Sequence, residues 1–223
     1  MGKITKILKA DDIGDMGIGA MIVFIAMVLV AGIAASVLIQ TANRLEIQAM
    51  QTGQETIGEV ATGVSVANIV GHKSYGATTL DNLTIAIQPR SGSLSIDIAE
   101  AYIELSDSST KVVLTYDSTE FVDTPSIDGN VFTKSFTNDL STQEFGVIVL
   151  EDADNSLTST HPVINRGDSV LLTINLGVVF SGSSGLATRT SVWGLVQPEE
   201  GAPGVYAFTT PASFAADYVF NLY

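Results

Sequence analysis

Few residues in this chain have the type and spacing needed for catalysis. The two histidines, His72 and His161, lie far apart, and neither is near a serine or acidic pattern of the kind that activates a nucleophile. Ser108 and Lys111 match the S-x-x-K string of penicillin-binding enzymes. That motif needs a helix start and partner motifs, whereas here it lies in a serine-rich turn. The sequence therefore predicts no catalytic residue, no cofactor and no enzyme activity.

Two aspartates have the chemistry of cation ligands. Asp152 and Asp154 supply closely spaced carboxylates in the segment DADNS, but the central glycine and the distal glutamate of an EF-hand are missing. A solvated acidic turn is the favoured interpretation. A calcium site at Asp152 and Asp154 is the weaker alternative.

A single N-x-S/T sequon starts at Asn82 and includes Thr84. It lies at the beginning of a predicted strand. Sugars are added to such asparagines at the surface of secreted proteins. The sequence therefore predicts N-glycosylation of Asn82 if this part of the chain lies outside the cell.

Length, composition and charge limit the possible partners. The chain has 223 residues, of which 46% are apolar, so it can bury a core. It has no cysteine, which excludes disulfides and thiolate metal sites. Its net charge of −14 argues against nucleic acid or an anionic membrane surface as the partner of the folded part.

The N-terminal region predicts a membrane-spanning helix. Residues 16–43 carry no charged side chain, and about 20 apolar residues suffice to cross a bilayer. Lys3, Lys6 and Lys9 precede this run and would hold the N-terminus in the cytoplasm, with the bulk of the chain outside. A permanent anchor is one alternative. A secretory signal peptide cut near Ile33–Ser36 is another, although the run is longer than a signal-peptide core.

The residues that begin this run resemble a known family. The stretch GDMGIGAMIVFIAMVLVAGIAA, starting at Gly14, resembles the start of the archaellins, the archaeal flagellins. Their precursors carry a short leader that a prepilin-type peptidase removes after a glycine. The resemblance implies cleavage between Gly14 and Asp15, with Gly17, Ile18 and Gly19 as the matching Gly-Ile-Gly triplet. The family usually has basic residues directly before that glycine, whereas this chain has Asp-Asp-Ile.

A second resemblance lies at the other end of the chain. The segment PEEGAPGVYAFTTPASF at 198–214, followed by YVFNLY at 218–223, is similar to the archaellin C-terminal strands. Those strands often contain a Pro-Glu-x-Gly-Ala-Pro element. The resemblance implies a homopolymer, alone or with related archaellins, and a prepilin-type peptidase as processing partner. It also implies that the membrane holds the subunit before assembly.

The helical pattern continues beyond the uncharged run. Met50, Ile57 and Val64 recur every seven residues, which predicts one helix from about Gly17 to about Val70. A helix of this length cannot bury itself against its own domain and needs other helices beside it. It also presents small residues that let helix backbones approach closely in an apolar medium: Gly32, Ala35 and Ser36.

From Tyr75 onward the apolar period changes to two, which is typical of strands. The predicted fold class is α+β, a long N-terminal hydrophobic helix followed by an all-β, Ig-like sandwich domain. The predicted divisions are a cleaved leader at 1–14, a polymerisation helix at 15–72 and an outer β-sandwich at 73–223. Strands are expected at 83–87, 94–98, 101–105, 111–116, 131–136, 145–150, 170–180, 191–196, 205–209 and 218–222.

Several classes of function remain. The favoured one is an archaellin, a structural subunit of the archaeal motility filament, inserted in the cytoplasmic membrane as a precursor and extracellular once assembled. The alternatives are a membrane-anchored extracellular β-sandwich binding module, an anchored enzyme and an adhesive type IV pilin. A simple anchor needs neither the cut site at Gly14 nor a second half of the helix. Type IV pilins typically carry a glutamate five residues after the cut, where this chain has Gly19.

Overall fold

The computed structural model describes residues 4–123, 131–133, 140–180, 185–214 and 218–223, and for residues 4–15 it describes the backbone only. The chain divides into two compact units, Met1–Glu55 and Thr56–Tyr223. The described part of the first unit is helix throughout, and the second unit contains the strands.

Helix α1 runs from Ile4 to Ala61. It contains no proline, and alanine, methionine, leucine and glutamine recur along it, so its backbone hydrogen bonds can continue without interruption. Between Met16 and Ala61 the helix is long and apolar enough to cross a membrane, and its most apolar window buries none of its residues within the chain. The predicted long N-terminal helix is thus confirmed.

The end of this helix was predicted wrongly. The helix stops at Ala61 rather than near Val70, and Val64–His72 forms strand β1. The predicted helical segment 15–72 therefore includes a whole strand of the second unit. Gly63 interrupts the helix, and the β-branched residues that follow it pair with the next strand instead. The seven-residue spacing from Ile57 to Val64 joins two different elements.

The second unit is an all-β domain. Its strands are β1 (Val64–His72), β2 (Asn82–Pro89), β3 (Ile96–Asp97), β4 (Tyr102–Ser106), β5 (Lys111–Val122), β6 (Glu144–Glu151), β7 (Val163–Ile164), β8 (Ser169–Asn175), β9 (Ser191–Gln197), β10 (Gly204–Thr209) and β11 (Val219–Asn221). A 3₁₀ turn at Val131–Thr133 and a short helix α2 at Leu176–Val179 complete the described elements.

Two predicted strands differ from the structure. Where a strand was expected from Val131, the chain forms the 3₁₀ turn, and residues 134–136 lie outside the described residues. The strand expected at 170–180 ends at Asn175 because the chain then turns into α2. The other expected strands overlap observed ones, and β1 is the long strand that sequence patterning missed.

Nine of these strands form one sheet in the order β10-β9-β4-β5-β6-β8-β2-β1-β11, and β3 pairs with β7 separately. The sheet curls, so that its inner face encloses a single core. Leu83, Ile85, Leu114, Phe145 and Tyr206 are among the fully buried side chains of that core. The predicted α+β class is confirmed, and the sandwich-like packing comes from one curled sheet.

The Pro-Glu-Glu-Gly-Ala-Pro segment closes this curl. The Thr62 carbonyl accepts a hydrogen bond from Ala202 N at 2.9 Å, and Val64 N donates to the Ala202 carbonyl at 3.1 Å. Arg90 adds to the closure, because its Nε donates to the Val64 carbonyl at 3.2 Å and its Nη2 to the Pro203 carbonyl at 3.1 Å. The residues directly after α1 are thereby attached to the chain just before β10. We call this contact the closure.

A glycine is required at one position of the closure. Gly201 has φ +94°, and a Cβ atom there would lie 2.2 Å from the Thr62 carbonyl oxygen. We expect Gly201→Ala to destabilise the β domain by about 1–3 kcal/mol from backbone strain alone, with the overlap adding to that. Thermal unfolding of the full chain, followed by β-sheet circular dichroism, measures the loss.

Gly92 supplies a matched control for this substitution. Its φ is +92°, but a Cβ atom there would meet nothing within 4 Å. Gly92→Ala therefore carries the backbone strain without the overlap, and it should lower the unfolding temperature less than Gly201→Ala. Equal losses for the two variants would show that the contact with Thr62 does not matter.

Candidate assembly helix and surface sites

Helix α1 exposes its apolar side chains all around its circumference. Phe24, Val30 and Leu38 are 68%, 67% and 68% exposed, and their apolar neighbours along the helix are also more than half exposed. Soluble proteins rarely expose contiguous apolar surface on this scale. The surface must therefore be covered by lipid or by other protein chains.

The predicted packing residues lie on this open surface. Gly32, Ala35 and Ser36 are exposed, and a Cβ atom at Gly32 would meet nothing within 4 Å. Ser36 Oγ accepts a hydrogen bond from Gln40 Nε2, one turn further on, at 3.4 Å. The Ser36 hydroxyl thus has a hydrogen-bond partner within the same helix. The small residues beside it, Gly32 and Ala35, add exposed apolar surface. That neighbouring helices pack here remains a prediction.

The predicted leader cleavage site lies inside the helical backbone. Gly14 and Asp15 belong to α1, and the structure describes only their backbone. Gly17, Ile18 and Gly19 follow on the exposed helix, with open space around both glycines. Peptide cleavage between Gly14 and Asp15 remains a prediction.

Asn82 lies in a more enclosed place than the sequon suggested. It begins β2 between two other strands, opposite His72 of β1 and Asn175 of β8, and it is 7% exposed. Its side-chain Oδ1 is buried without a hydrogen-bond partner. A sugar could therefore be transferred only before β2 pairs, or after this end of the strand has opened.

Mass spectrometry of the peptide containing Asn82 tests this modification. If the sequon is used, that peptide carries extra mass, and Asn82→Gln abolishes it. Because the acceptor is enclosed, we expect the modified chains to have received the sugar before folding. Enzymatic transfer to already folded, unmodified subunits should then fail, and efficient transfer to them would contradict the buried placement.

The acidic turn contains a third carboxylate that the sequence did not indicate. Ligand oxygens of Asp152, Asp154 and Asp168 all lie within 4.8 Å of one another, so the group could hold a metal ion. Asp168 directly precedes β8 and is buried. It accepts hydrogen bonds from Ala153 N at 3.0 Å and Asn165 N at 2.8 Å, which fixes the turn.

The same carboxylates also serve as hydrogen-bond acceptors for the turn itself. Asp152 accepts from the backbone of Ser156 at 3.2 Å and Leu157 at 3.2 Å. Asp154 accepts from Asn165 Nδ2 at 2.7 Å. Hydrogen bonds from Ser156 and Asn165 hold the pKa of Asp154 below its usual value. Whether this acidic turn binds a cation remains a prediction.

The remaining candidates for chemistry are not brought together. His72 ends β1, with Nδ1 3.4 Å from Asp81 Oδ1, and its ring stacks on Phe132. His161 lies in an exposed turn, where its Nδ1 is 3.1 Å from Thr160 Oγ1. Lys111 pairs with a glutamate on the neighbouring strand rather than with Ser108. Among the described residues, these side chains have structural partners only.

The amino-acid sequence is similar to those of known flagellins. Residues 14–208 match the family model for archaeal-type flagellin. Flagellin B2 of Methanocaldococcus jannaschii is 46% identical over 213 residues, covering 95% of each chain. Flagellin B1 of Methanococcus voltae is 39% identical, covering 92% of this chain and 94% of its own.

Two solved structures share the fold. The crystal structure of the archaeal flagellin FlaB1 from Methanocaldococcus jannaschii aligns with a TM-score of 0.65 and 34% identity, covering 73% of this chain and 97% of its own. The archaeal flagellum of Methanospirillum hungatei aligns with a TM-score of 0.60 over 92% of this chain and 98% of its own, at 14% identity. Because the family model and the sequence relatives cover nearly all of it, this chain belongs to the archaeal-type flagellin family.

Proposed function

We propose that this chain is a structural subunit of an archaeal motility filament and that it polymerises through α1. The observation that carries the proposal is a helix, Met16–Ala61, whose most apolar window is wholly unburied in the isolated chain. The chain belongs to a family of flagellins. The apolar surface of α1 would therefore pack against the same helix of neighbouring subunits.

The same surface serves two environments in turn. Before assembly, α1 spans the cytoplasmic membrane, with Lys3, Lys6 and Lys9 on the cytoplasmic side. A prepilin-type peptidase removes residues 1–14, and the helix then leaves lipid for a bundle of identical helices. Lipid tails are as apolar as the helix itself, so the gain on assembly comes from close packing rather than from escape from water. Gly32 and Ser36 permit that close approach.

The N-terminus and mass of protein sheared from cells test the proposal. Subunits should sediment as filaments and begin at Asp15. Removing residues 1–14 takes away three lysines and two aspartates, so the net charge moves from −14 to −15. A start at residue 1 in membrane vesicles would favour the anchored binding module. A start after Ser36 would indicate an ordinary signal peptide.

The adhesive pilin is the nearest competing function. It shares the leader and the helix, so the N-terminus alone does not separate the two. Deletion of this gene should stop swimming if the filament is a motility filament. Loss of surface attachment with normal swimming would assign the chain to a pilus instead.

A further inference from the structure

An apolar patch covers part of the solvent-exposed face of the β sheet. It consists of Tyr102, Val113, Trp193, Leu195 and Val205, and we call it the β9 patch. Trp193 is 50% exposed and Val205 66% exposed, whereas the side chains that alternate with them along β9 and β10 point into the core. Four adjacent strands, β10, β9, β4 and β5, supply the patch.

Strand register makes these residues neighbours. Val205 lies opposite Leu195, Leu195 opposite Glu104, and Glu104 opposite Val113, so they form one row across four strands. Trp193 stands in the next row beside Ala207 and Ser106. Side chains in such rows are close enough to form one continuous surface.

The patch is electrically neutral on a strongly acidic domain. Residues 73–223 contain 18 acidic and 6 basic side chains, which gives a net charge of −12. In the rows of Val205 and Trp193 the charged side chains are Glu104 and Lys111, which form an ion pair at 2.8 Å. Copies of this domain repel one another over most of their surface, and least across a neutral, apolar area.

We infer that the β9 patch binds the β domain of a neighbouring copy of this chain. The inference rests on the proposed function, because helices packed into a filament would hold the β domains side by side at high local concentration. A helical filament requires contacts between two different surfaces, since a patch that met only its own equivalent would close a dimer. The β9 patch is therefore one half of a lateral contact outside the helical core.

Trp193 reports directly on this contact, because it is the single tryptophan of the chain. In sheared native filaments we expect blue-shifted tryptophan emission and acrylamide quenching several-fold weaker than in filaments unfolded by guanidinium. Quenching as efficient as in the unfolded chain would show that Trp193 faces water and would overturn the inference. The filaments themselves would still be present in that case, so the proposed function would stand.

Lys111 identifies what covers the patch. Its amine is half-exposed at the edge of the patch, whereas Lys73 is buried. An amine-directed photo-crosslinker on intact filaments should join Lys111 to residues 73–223 of a second copy, and the products should run as dimers. Lys111→Gln should remove those products. Crosslinks from Lys111 only to residues 15–61, or only within one chain, would overturn the inference.

A pair of charge substitutions measures the contribution of the patch. Val205→Glu should lower the temperature at which filaments dissociate, because it places an unpaired carboxylate in the contact. Leu150→Glu is the matched control, an aliphatic residue of β6 that is 42% exposed and lies outside the patch. Equal effects of the two variants would reflect added charge alone and would count against the inference.

Discussion

Replacing Ala34 by glutamate should abolish filaments while leaving a membrane-inserted subunit. Ala34 lies on the exposed face of α1, between Gly32 and Ser36 and within the uncharged run 16–43. A charge at the centre of an apolar span costs about 2.5–3.5 kcal/mol on insertion scales, and more where no water or snorkelling route exists. A closed bundle of helices offers neither route. Every subunit would carry that penalty, so polymerisation should fail cooperatively.

Electron microscopy of sheared material decides this prediction, with Asp154→Ser as the control. Asp154 is exposed in the acidic turn of the β domain, far along the chain from α1. Its loss should leave filament length and swimming nearly unchanged, unless a cation bound there is required. Normal filaments from Ala34→Glu would show that α1 does not form a dry core.

Replacing Gly14 by valine should trap the precursor in the membrane. A peptidase that cuts after residue 14 would have to accommodate that residue, and a branched side chain occupies space that glycine leaves empty. Without cleavage, the basic residues Lys3, Lys6 and Lys9 stay attached to the helix and would have to enter an apolar bundle. We expect almost no filament and a precursor that retains residues 1–14.

Immunoblotting of membranes and sheared fractions measures this outcome. Gly14→Ala provides the control, because it adds a single methyl group at the same position and should still be processed in part. Swimming cells with Gly14→Val filaments whose subunits begin at Asp15 would contradict the assigned cleavage site. Filaments whose subunits keep residues 1–14 would show instead that cleavage is not needed for assembly.

The helix and most strands could be predicted because their signals are local. Residues 16–43 are apolar without interruption, and from Leu83 onward the alternation of apolar and polar residues follows the pleat of a strand. The end of α1 was missed because Val64 continues a seven-residue spacing by chance. Only its pairing with Pro89 of β2 makes it a strand residue, and that partner is distant in the sequence.

The surface sites could be predicted only in part, because they too depend on residues that are distant in the sequence. Asp152 and Asp154 are two positions apart in the sequence, but Asp168 joins them through the turn before β8. Asn82 was expected to accept a sugar because it belongs to a sequon in the part of the chain predicted to lie outside the cell. Its burial depends on the neighbouring strands β1 and β8 and on the loop around Asp81, whose carbonyl accepts a hydrogen bond from Gly177 N at 3.2 Å.

The closure between Thr62 and Ala202 has a consequence for the order in which the subunit folds. These residues are separated by 140 positions, 202 minus 62, so their contact forms only after the sheet between them has been arranged. Long-range contacts of this kind are slow, because the chain loses entropy before the contact is made. A chain shortened before Gly201 would lack the partner for Thr62–Val64 and leave the first strand open to wrong pairing. The segment that follows the assembly helix can pair early with β2, but its bonds to Ala202 form only when that residue has been made.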